Sequence, residues 1–131
     1  MAKRSRSIIA AMATLSLVLA ALLAQAASSQ KVEIVSAIGC LKEAGPNNWT
    51  LVNATDPVPS SANAPAPKDI PASPPVGKNE FKLIGVSEFN LPPHRDHSVL
   101  VKGLYIKATP TSRLNITSVT MVSATCPVPG K

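Results

Sequence analysis

The chain has 131 residues, of which 13 are Lys or Arg and seven are Asp or Glu, and its formal net charge at pH 7 is +6. With two cysteines, one Trp and one Tyr, it has too few ligands for a cysteine-rich zinc site and few aromatic rings for stacking nucleic-acid bases. All thirteen prolines follow residue 45, and helix interiors do not tolerate proline at that density, so an all-β class is predicted.

The N-terminus has the three-part layout of a secretory signal peptide. Three basic residues precede an uncharged, mostly apolar run from Ile8 to Ala24, and small residues surround Gln25. We expect cleavage after Ala26, an exported protein in the periplasm or outside the cell, and no membrane span once the signal is removed. The alternative is an uncleaved anchor, because seventeen apolar residues lie at the short limit of what crosses a bilayer.

Removal of residues 1–26 changes the charge argument. That segment holds three of the basic residues and none of the acids, so residues 27–131 carry a net charge of about +3. This is ordinary for a soluble exported domain and does not indicate affinity for nucleic acid. We treat residues 27–131 as a single domain.

Five stretches rich in β-branched and alternating apolar residues predict strands. They are Val32–Glu43, Trp49–Asn53, Glu80–Val86, Ser98–Lys107 and Leu114–Thr125. A single helical turn is expected around Ser87, before Pro92 and Pro93 end it.

The fourth strand has the clearest pattern. Its apolar residues change parity at Gly103, from Val99 and Val101 to Leu104 and Ile106. One extra residue at a glycine bulge would keep both pairs pointing inward, so we expect a bulge at Gly103.

Two other strands show related irregularities. The first strand is expected to bend at Gly39 and to point Val32, Ile34 and Ile38 inward. The inward residues of the last strand are expected to change parity, from Leu114 and Ile116 to Val119 and Met121. Strands with such kinks are what a small closed barrel requires.

Residues 54–78 form a proline-rich segment between the second and third strands. They hold seven prolines and few residues that could bury much surface, so an extended loop over the outside of the domain is predicted.

Cys40 and Cys126 are the only cysteines. An exported chain reaches an oxidising compartment, where two thiols in one small domain usually pair, so a disulfide is predicted. The competing interpretation is two buried free thiols.

Five kinked strands with a connector between the third and fourth match the five-stranded Greek-key barrel of the OB fold. The sequence also resembles a bacterial group of small exported OB-like domains. The pieces that carry the resemblance are Gly39-Cys40, Trp49-Thr50-Leu51, Phe81 to Val86, His94 to Gly103, and Ser118-Val119 through Cys126. The most specific piece resembles His-x-Gly-His-x-Val-x-Val-x-Gly, with Asp96 at the position of its first glycine. The resemblance implies a fold and a compartment, and no reaction.

His94, Asp96 and His97 form the one cluster of ionisable residues that looks like a site. Two imidazoles with a carboxylate between them could offer ligands to zinc or copper. The alternative is a polar turn that leads into the fourth strand, and it is favoured because a closed site needs four ligands.

Catalysis is not indicated. The sequence lacks a Gly-x-Ser-x-Gly turn, and its acids are scattered singly rather than in a pair. Trp49 and Tyr105 are candidate surface aromatics for a sugar or peptide ligand, although a lone Trp that opens a strand more often covers the core.

These patterns favour a non-enzymatic, exported OB-like module that binds an unknown protein or carbohydrate. No cofactor is expected, and nucleic acid is not the expected ligand. The alternative is a metal-binding protein that uses His94, Asp96 and His97.

Overall fold

The computed structural model describes residues 32–130, which form six β-strands and three short 3₁₀ turns. The strands are β1 (Ile34–Glu43), β2 (Trp49–Ala54), β3 (Val58–Pro59), β4 (Asn79–Ile84), β5 (Ser98–Ile106) and β6 (Arg113–Ser123). No helix in this range is long and apolar enough to cross a membrane. The predicted signal peptide lies outside the described residues.

All six strands belong to one sheet in the order β2-β4-β6-β5-β1-β3, and β2 also pairs with β1. Each of the five longer strands therefore pairs with at least two others. Their pairings are antiparallel except that of β4 with β6, which is parallel. The predicted β-rich fold is confirmed, and the five predicted strands correspond to β1, β2, β4, β5 and β6.

Strand β1 changes partner in its middle. Residues Ile34 to Cys40 pair with β5 and residues Cys40 to Glu43 pair with β2, so Cys40 lies opposite both Val52 and Ser98. A Cβ atom at Gly39 would lie 2.7 Å from Leu51 Cγ and 2.9 Å from the Val52 carbonyl oxygen. Glycine at this position therefore allows β2 to approach β1 closely.

The core is formed by strand residues that point to one side of the sheet and by Leu91 of the connector between β4 and β5. These are Val35, Ala37, Leu41, Trp49, Leu51, Ala54, Phe81, Leu83, Leu91, Val99, Val101, Leu114 and Ile116. In β1 the inward residues are thus Val35 and Ala37. The predicted inward set of Val32, Ile34 and Ile38 is wrong, because the odd-numbered residues of β1 face the core and all three even-numbered ones lie outside it.

The bulge predicted at Gly103 occurs in the neighbouring strand. Lys102 lies opposite Ser118 and Gly103 lies opposite Ile116, so Thr117 is the extra residue and it belongs to β6. A Cβ atom at Gly103 would lie 2.5 Å from the Asn115 carbonyl oxygen, so this glycine allows close approach of the two backbones.

Because β5 itself keeps a regular alternation, its later residues face differently from the prediction. Tyr105 packs against the core, whereas Leu104 and Ile106 do not, and the prediction of those two as inward residues is wrong. The predicted parity change in β6 is correct as far as Val119, which packs against the core beyond the bulge. Met121 is 47% exposed, so it is not an inward residue.

The proline-rich segment contains more structure than the sequence predicted. Val58 and Pro59 pair with β1 as the two-residue strand β3, and Pro67–Asp69 form a 3₁₀ turn. The segment returns to its starting point, where the Gly77 N–H donates to the Asn53 carbonyl. Most of its residues are exposed or half-buried, as an external loop requires.

The connector between β4 and β5 contains the other two 3₁₀ turns, Val86–Glu88 and Pro92–His94. The first lies where a helical turn was predicted. Leu91, between the two turns, is 1% exposed and belongs to the core. The connector therefore covers part of the core as well as linking the strands.

Cys40 and Cys126 form a disulfide with a Cα–Cα distance of 5.5 Å, as predicted, and the described residues contain no free cysteine. The bond joins the middle of β1 to the chain that follows β6. The two residues are 86 positions apart, so the link closes nearly the whole domain.

We predict that the double variant Cys40→Ala/Cys126→Ala is less stable by about 2–5 kcal/mol, because a disulfide that closes a long loop restricts the unfolded chain. Urea unfolding followed by tryptophan fluorescence measures the difference. The wild-type protein under reducing conditions is the control and should match the variant. A loss below about 1 kcal/mol would contradict the expected stabilisation.

Candidate functional site

Trp49 lies in the core and offers no open ring face. The residue is 2% exposed, and the Arg95 guanidinium carbon lies 5.8 Å from the ring centroid. Arg95 also forms an ion pair with Glu43. The structure therefore places this ring under an arginine instead of at a ligand surface.

Tyr105 is half-buried and packs against the core. Its ring meets that of Phe81 edge to face, with centroids 6.2 Å apart, and its hydroxyl oxygen lies 3.4 Å from Ser112 Oγ. Both aromatic candidates are thus engaged by the protein's own side chains.

His94 and His97 lie beside each other, whereas Asp96 is directed to a different partner. The two imidazole rings are nearly perpendicular, with centroids 6.0 Å apart. The Asp96 carboxylate accepts a hydrogen bond of 2.7 Å from Lys42 Nζ. Within residues 32–130, no three side chains of His, Cys, Asp or Glu are arranged to hold a metal ion.

The backbone at Asp96 is left-handed, with φ of 64°. This conformation favours glycine, which is the residue that the resembled pattern has here, and aspartate is one of the few other residues that adopts it readily. The hydrogen bond from Lys42 holds the pKa of the Asp96 carboxyl below its usual range, although partial desolvation acts in the opposite direction.

A buried lysine links the proline-rich segment to the sheet. The Lys102 side chain is 4% exposed, and its Nζ atom lies 3.2 Å from both Asp69 Oδ2 and the Ala64 carbonyl oxygen. Thr117 Oγ1 on the adjacent strand donates to the Asn63 carbonyl at 3.3 Å. Residues 63–69 are therefore held against the outer side of β5 and β6 by polar contacts.

Sequence reasoning missed this contact. In the strand pattern, Lys102 occupies an outward position between Val101 and Gly103, where a solvated lysine is the ordinary interpretation. The pKa of Asp69 is lowered first by the Ala66 N–H, which donates to it at 2.7 Å, and then by Lys102. An ionised Asp69 thus accepts a hydrogen bond from the Ala66 N–H at the start of the 3₁₀ turn and another from the buried Lys102 ammonium group.

An open pocket of about 360 Å³ lies where the two ends of the proline-rich segment meet. It is lined by Thr55, Asp56, Val76, Gly77 and Lys78. Asp56 accepts a hydrogen bond of 2.8 Å from Asn79 Nδ2 beside this pocket. The lining offers no nucleophile and base in contact, and the pocket is open to solvent.

Basic side chains form a row across the outer surface of the sheet. Strand register places Lys42 opposite Thr50, Thr50 opposite Lys82, and Lys82 beside Arg113. The three basic residues are exposed, and their sequence neighbours Leu41, Leu83 and Leu114 point into the core. We call Lys42, Lys82 and Arg113 the basic row.

The basic row is only partly neutralised. Lys42 is paired with Asp96, but neither Lys82 nor Arg113 forms an ion pair with any residue that the structure describes. Neighbouring strands lie about 4.8 Å apart, so the Lys82 and Arg113 backbones are about that distance apart. This pair is a local concentration of positive charge on the sheet.

Comparison with protein-family models, with curated proteins and with solved structures gave no match. The resemblance noted in the sequence therefore stays a prediction, and the site is interpreted from its own geometry.

We predict that Asp69→Asn loosens the proline-rich segment and lowers the urea midpoint at neutral pH. The lowered pKa of Asp69 means that its stabilisation is complete above its unfolded pKa, near 3.8, and disappears as the pH falls through the lower folded value. The difference in midpoint between wild type and variant should be constant above about pH 5 and shrink below about pH 4. A difference that does not change with pH would contradict this assignment, and Asp56→Asn is the matched control.

Proposed function

We propose that this protein is an exported OB-like module that binds an acidic carbohydrate through the basic row and catalyses no reaction. The observation that carries the proposal is the register that brings Lys42, Lys82 and Arg113 onto one surface.

The cycle of strand pairings supports an OB-like barrel. Starting at β1, successive pairings run through β2, β4, β6 and β5 and return to β1. A sheet in which every long strand pairs with two others can close on itself. The parallel pairing of β4 with β6 completes this cycle among otherwise antiparallel pairings.

Export is supported by two independent features. The signal-like residues 1–26 address the chain to a secretory route. The Cys40–Cys126 disulfide is compatible with an oxidising compartment, where such bonds persist.

The location of the basic row supports ligand binding. OB domains commonly bind extended polymers on the outer face of their second and third strands, which correspond to β2 and β4 here. Lys82 lies on β4, and Lys42 and Arg113 lie on the strands to either side of this pair. Nucleic acid is not the favoured polymer, because the nearby Trp49 ring is buried and cannot stack on a base.

A carboxylated polysaccharide fits the row for two reasons. It supplies regularly spaced negative charges to Lys82 and Arg113, and it is a polymer of the cell exterior. Arg113 can also bind a carboxylate through two parallel hydrogen bonds, which lysine cannot do.

A non-enzymatic role is supported by the histidines. Nucleophilic catalysis needs a base within hydrogen-bond reach of a hydroxyl or thiol. The Nδ1 atoms of His94 and His97 have no hydrogen-bond partner among the described residues, and both cysteines are in the disulfide.

The test is calorimetric titration of the protein with polygalacturonate, with neutral dextran as the reference polymer. We expect binding to polygalacturonate alone, weakened by salt, and reduced about tenfold or more in Lys82→Gln/Arg113→Gln. The matched control is Lys68→Gln/Lys78→Gln, which removes the same charge from the proline-rich segment and should bind normally. Equal weakening by both double variants would mean that net charge, not the basic row, attracts the polymer.

Metal binding by His94, Asp96 and His97 is the second candidate. The two shielded, unpartnered Nδ1 atoms favour it, since imidazole nitrogen is a common ligand of zinc and copper. The Lys42 contact disfavours it, because a metal would have to compete with that ammonium group for Asp96.

Calorimetry with zinc separates the two candidates. The carbohydrate proposal predicts no saturable zinc uptake by the wild-type protein beyond that of His94→Gln/His97→Gln. Saturable binding of one zinc ion that the double variant lacks would instead establish the second candidate.

A further inference from the structure

Lys42 differs from the other two members of the basic row, because an acidic side chain of the protein already holds it. Its Nζ atom donates to Asp96 Oδ1 at 2.7 Å. Lys82 and Arg113 have no such partner among the described residues. The basic row therefore consists of two uncompensated cations and one cation that a carboxylate of the same chain neutralises.

Backbone contacts of the turn before β5 place this carboxylate beside Lys42. The Asp96 N–H donates to the Leu41 carbonyl at 2.8 Å, and the Leu41 N–H donates to the His97 carbonyl at 3.0 Å. Asp96 and His97 are thereby fixed against the residue that precedes Lys42 in β1. Because aspartate has a short side chain, the position of its carboxyl group follows from the position of this turn.

The Asp96 carboxylate is the same chemical group that an acidic carbohydrate would offer to Lys42. The hydrogen bond from Lys42 keeps the pKa of the Asp96 carboxyl below its usual range, so the group is ionised at neutral pH. An ionised Asp96 opposes the ligand in two ways. It occupies the Lys42 ammonium group, and it places a negative charge next to the carboxylates of the polymer.

The pair is exposed to solvent, with 49% of the Lys42 side chain and 62% of the Asp96 side chain accessible. Exposed ion pairs contribute little free energy, because water solvates the separated charges well. A carboxylate of the polymer can therefore displace Asp96 without disturbing the sheet. Asp96 is then expected to lower the affinity for the polymer without abolishing it.

We propose, on the basis of the function proposed above, that Asp96 competes with acidic carbohydrate for Lys42 and so limits the affinity of the basic row. Asp96 is in this case a residue that determines affinity through Lys42, whereas Lys82 and Arg113 contact the polymer directly. Removal of its carboxylate should improve binding, which the loss of a merely structural contact would not do.

The test is calorimetric titration with polygalacturonate in about 0.15 M salt, where charges more than about 8 Å apart are largely screened. We expect Asp96→Asn to bind about two- to fivefold more tightly than wild type, because Lys42 is released. Asparagine adopts the left-handed backbone of residue 96 readily, so the turn is retained. The matched control is Asp56→Asn, which removes the same charge from the proline-rich segment and should bind like wild type. An Asp96→Asn protein that binds no more tightly than this control would overturn the proposal.

A double-mutant cycle shows whether Asp96 acts through Lys42. In a Lys42→Gln background no ammonium group remains to be released, so Asp96→Asn should give little or no gain in affinity. An equal gain in both backgrounds would overturn the proposal, because Asp96 would then act through its charge alone. With Lys42 present, the affinity of Asp96→Asn should also fall more steeply with added salt than that of wild type, since one more cation contacts the polymer.

A second variant, Asp96→Gly, also lacks the carboxylate and suits the left-handed backbone. It should reproduce the gain in affinity of Asp96→Asn. A gain confined to Asp96→Asn would contradict the proposed competition, because the new amide group would then be its cause.

Failure of the competition and failure of carbohydrate binding give different results. If wild type binds polygalacturonate through Lys82 and Arg113 and neither Asp96 variant binds more tightly, the competition alone is overturned. If neither wild type nor Asp96→Asn binds the polymer, the basic row is not a carbohydrate site and both proposals are overturned.

Discussion

The sheet depends on a single crossing point, where β1 pairs with two strands. Cys40 lies opposite Val52 on one side and Ser98 on the other. That arrangement needs a gap in the side-chain layer, and Gly39 supplies it. The disulfide from Cys40 to Cys126 then ties the end of the last strand to the same point. Backbone pairing, close packing and the covalent link therefore all converge at Gly39 and Cys40 of β1.

The outer surface is organised by polar contacts, because the proline-rich segment has little apolar surface of its own. Burying the Lys102 ammonium group would be unfavourable without a partner of opposite charge. Asp69 supplies the charge, and the Ala64 carbonyl supplies a second acceptor. The position of the segment is thereby coupled to the ionisation of one carboxyl, and its order is expected to respond to acid more than the core does.

Positive charge is concentrated at the start of β6. There, Arg113 joins Lys82 in a pair of cations without acidic partners among the described residues. From Ile116 onward the strand carries no charge and continues its pairing with β5. The charge that would attract an anionic polymer is therefore confined to the part of β6 that pairs with β4.

The sequence by itself determined the β class, the five long strands and the cysteine pair. Alternation and proline density are local properties of the chain, and with two cysteines only one pairing exists. It did not predict which strand carries the bulge, since Gly103 and Thr117 give the same parity signal and only the register between β5 and β6 separates them. Nor did it identify Trp49 as covered by Arg95, or Lys102 as buried, because both depend on residues more than 30 positions away. The basic row was likewise decided by tertiary structure. Pairing across strands brings Lys42, Lys82 and Arg113 together from distant parts of the chain, and no local pattern records which strands become neighbours.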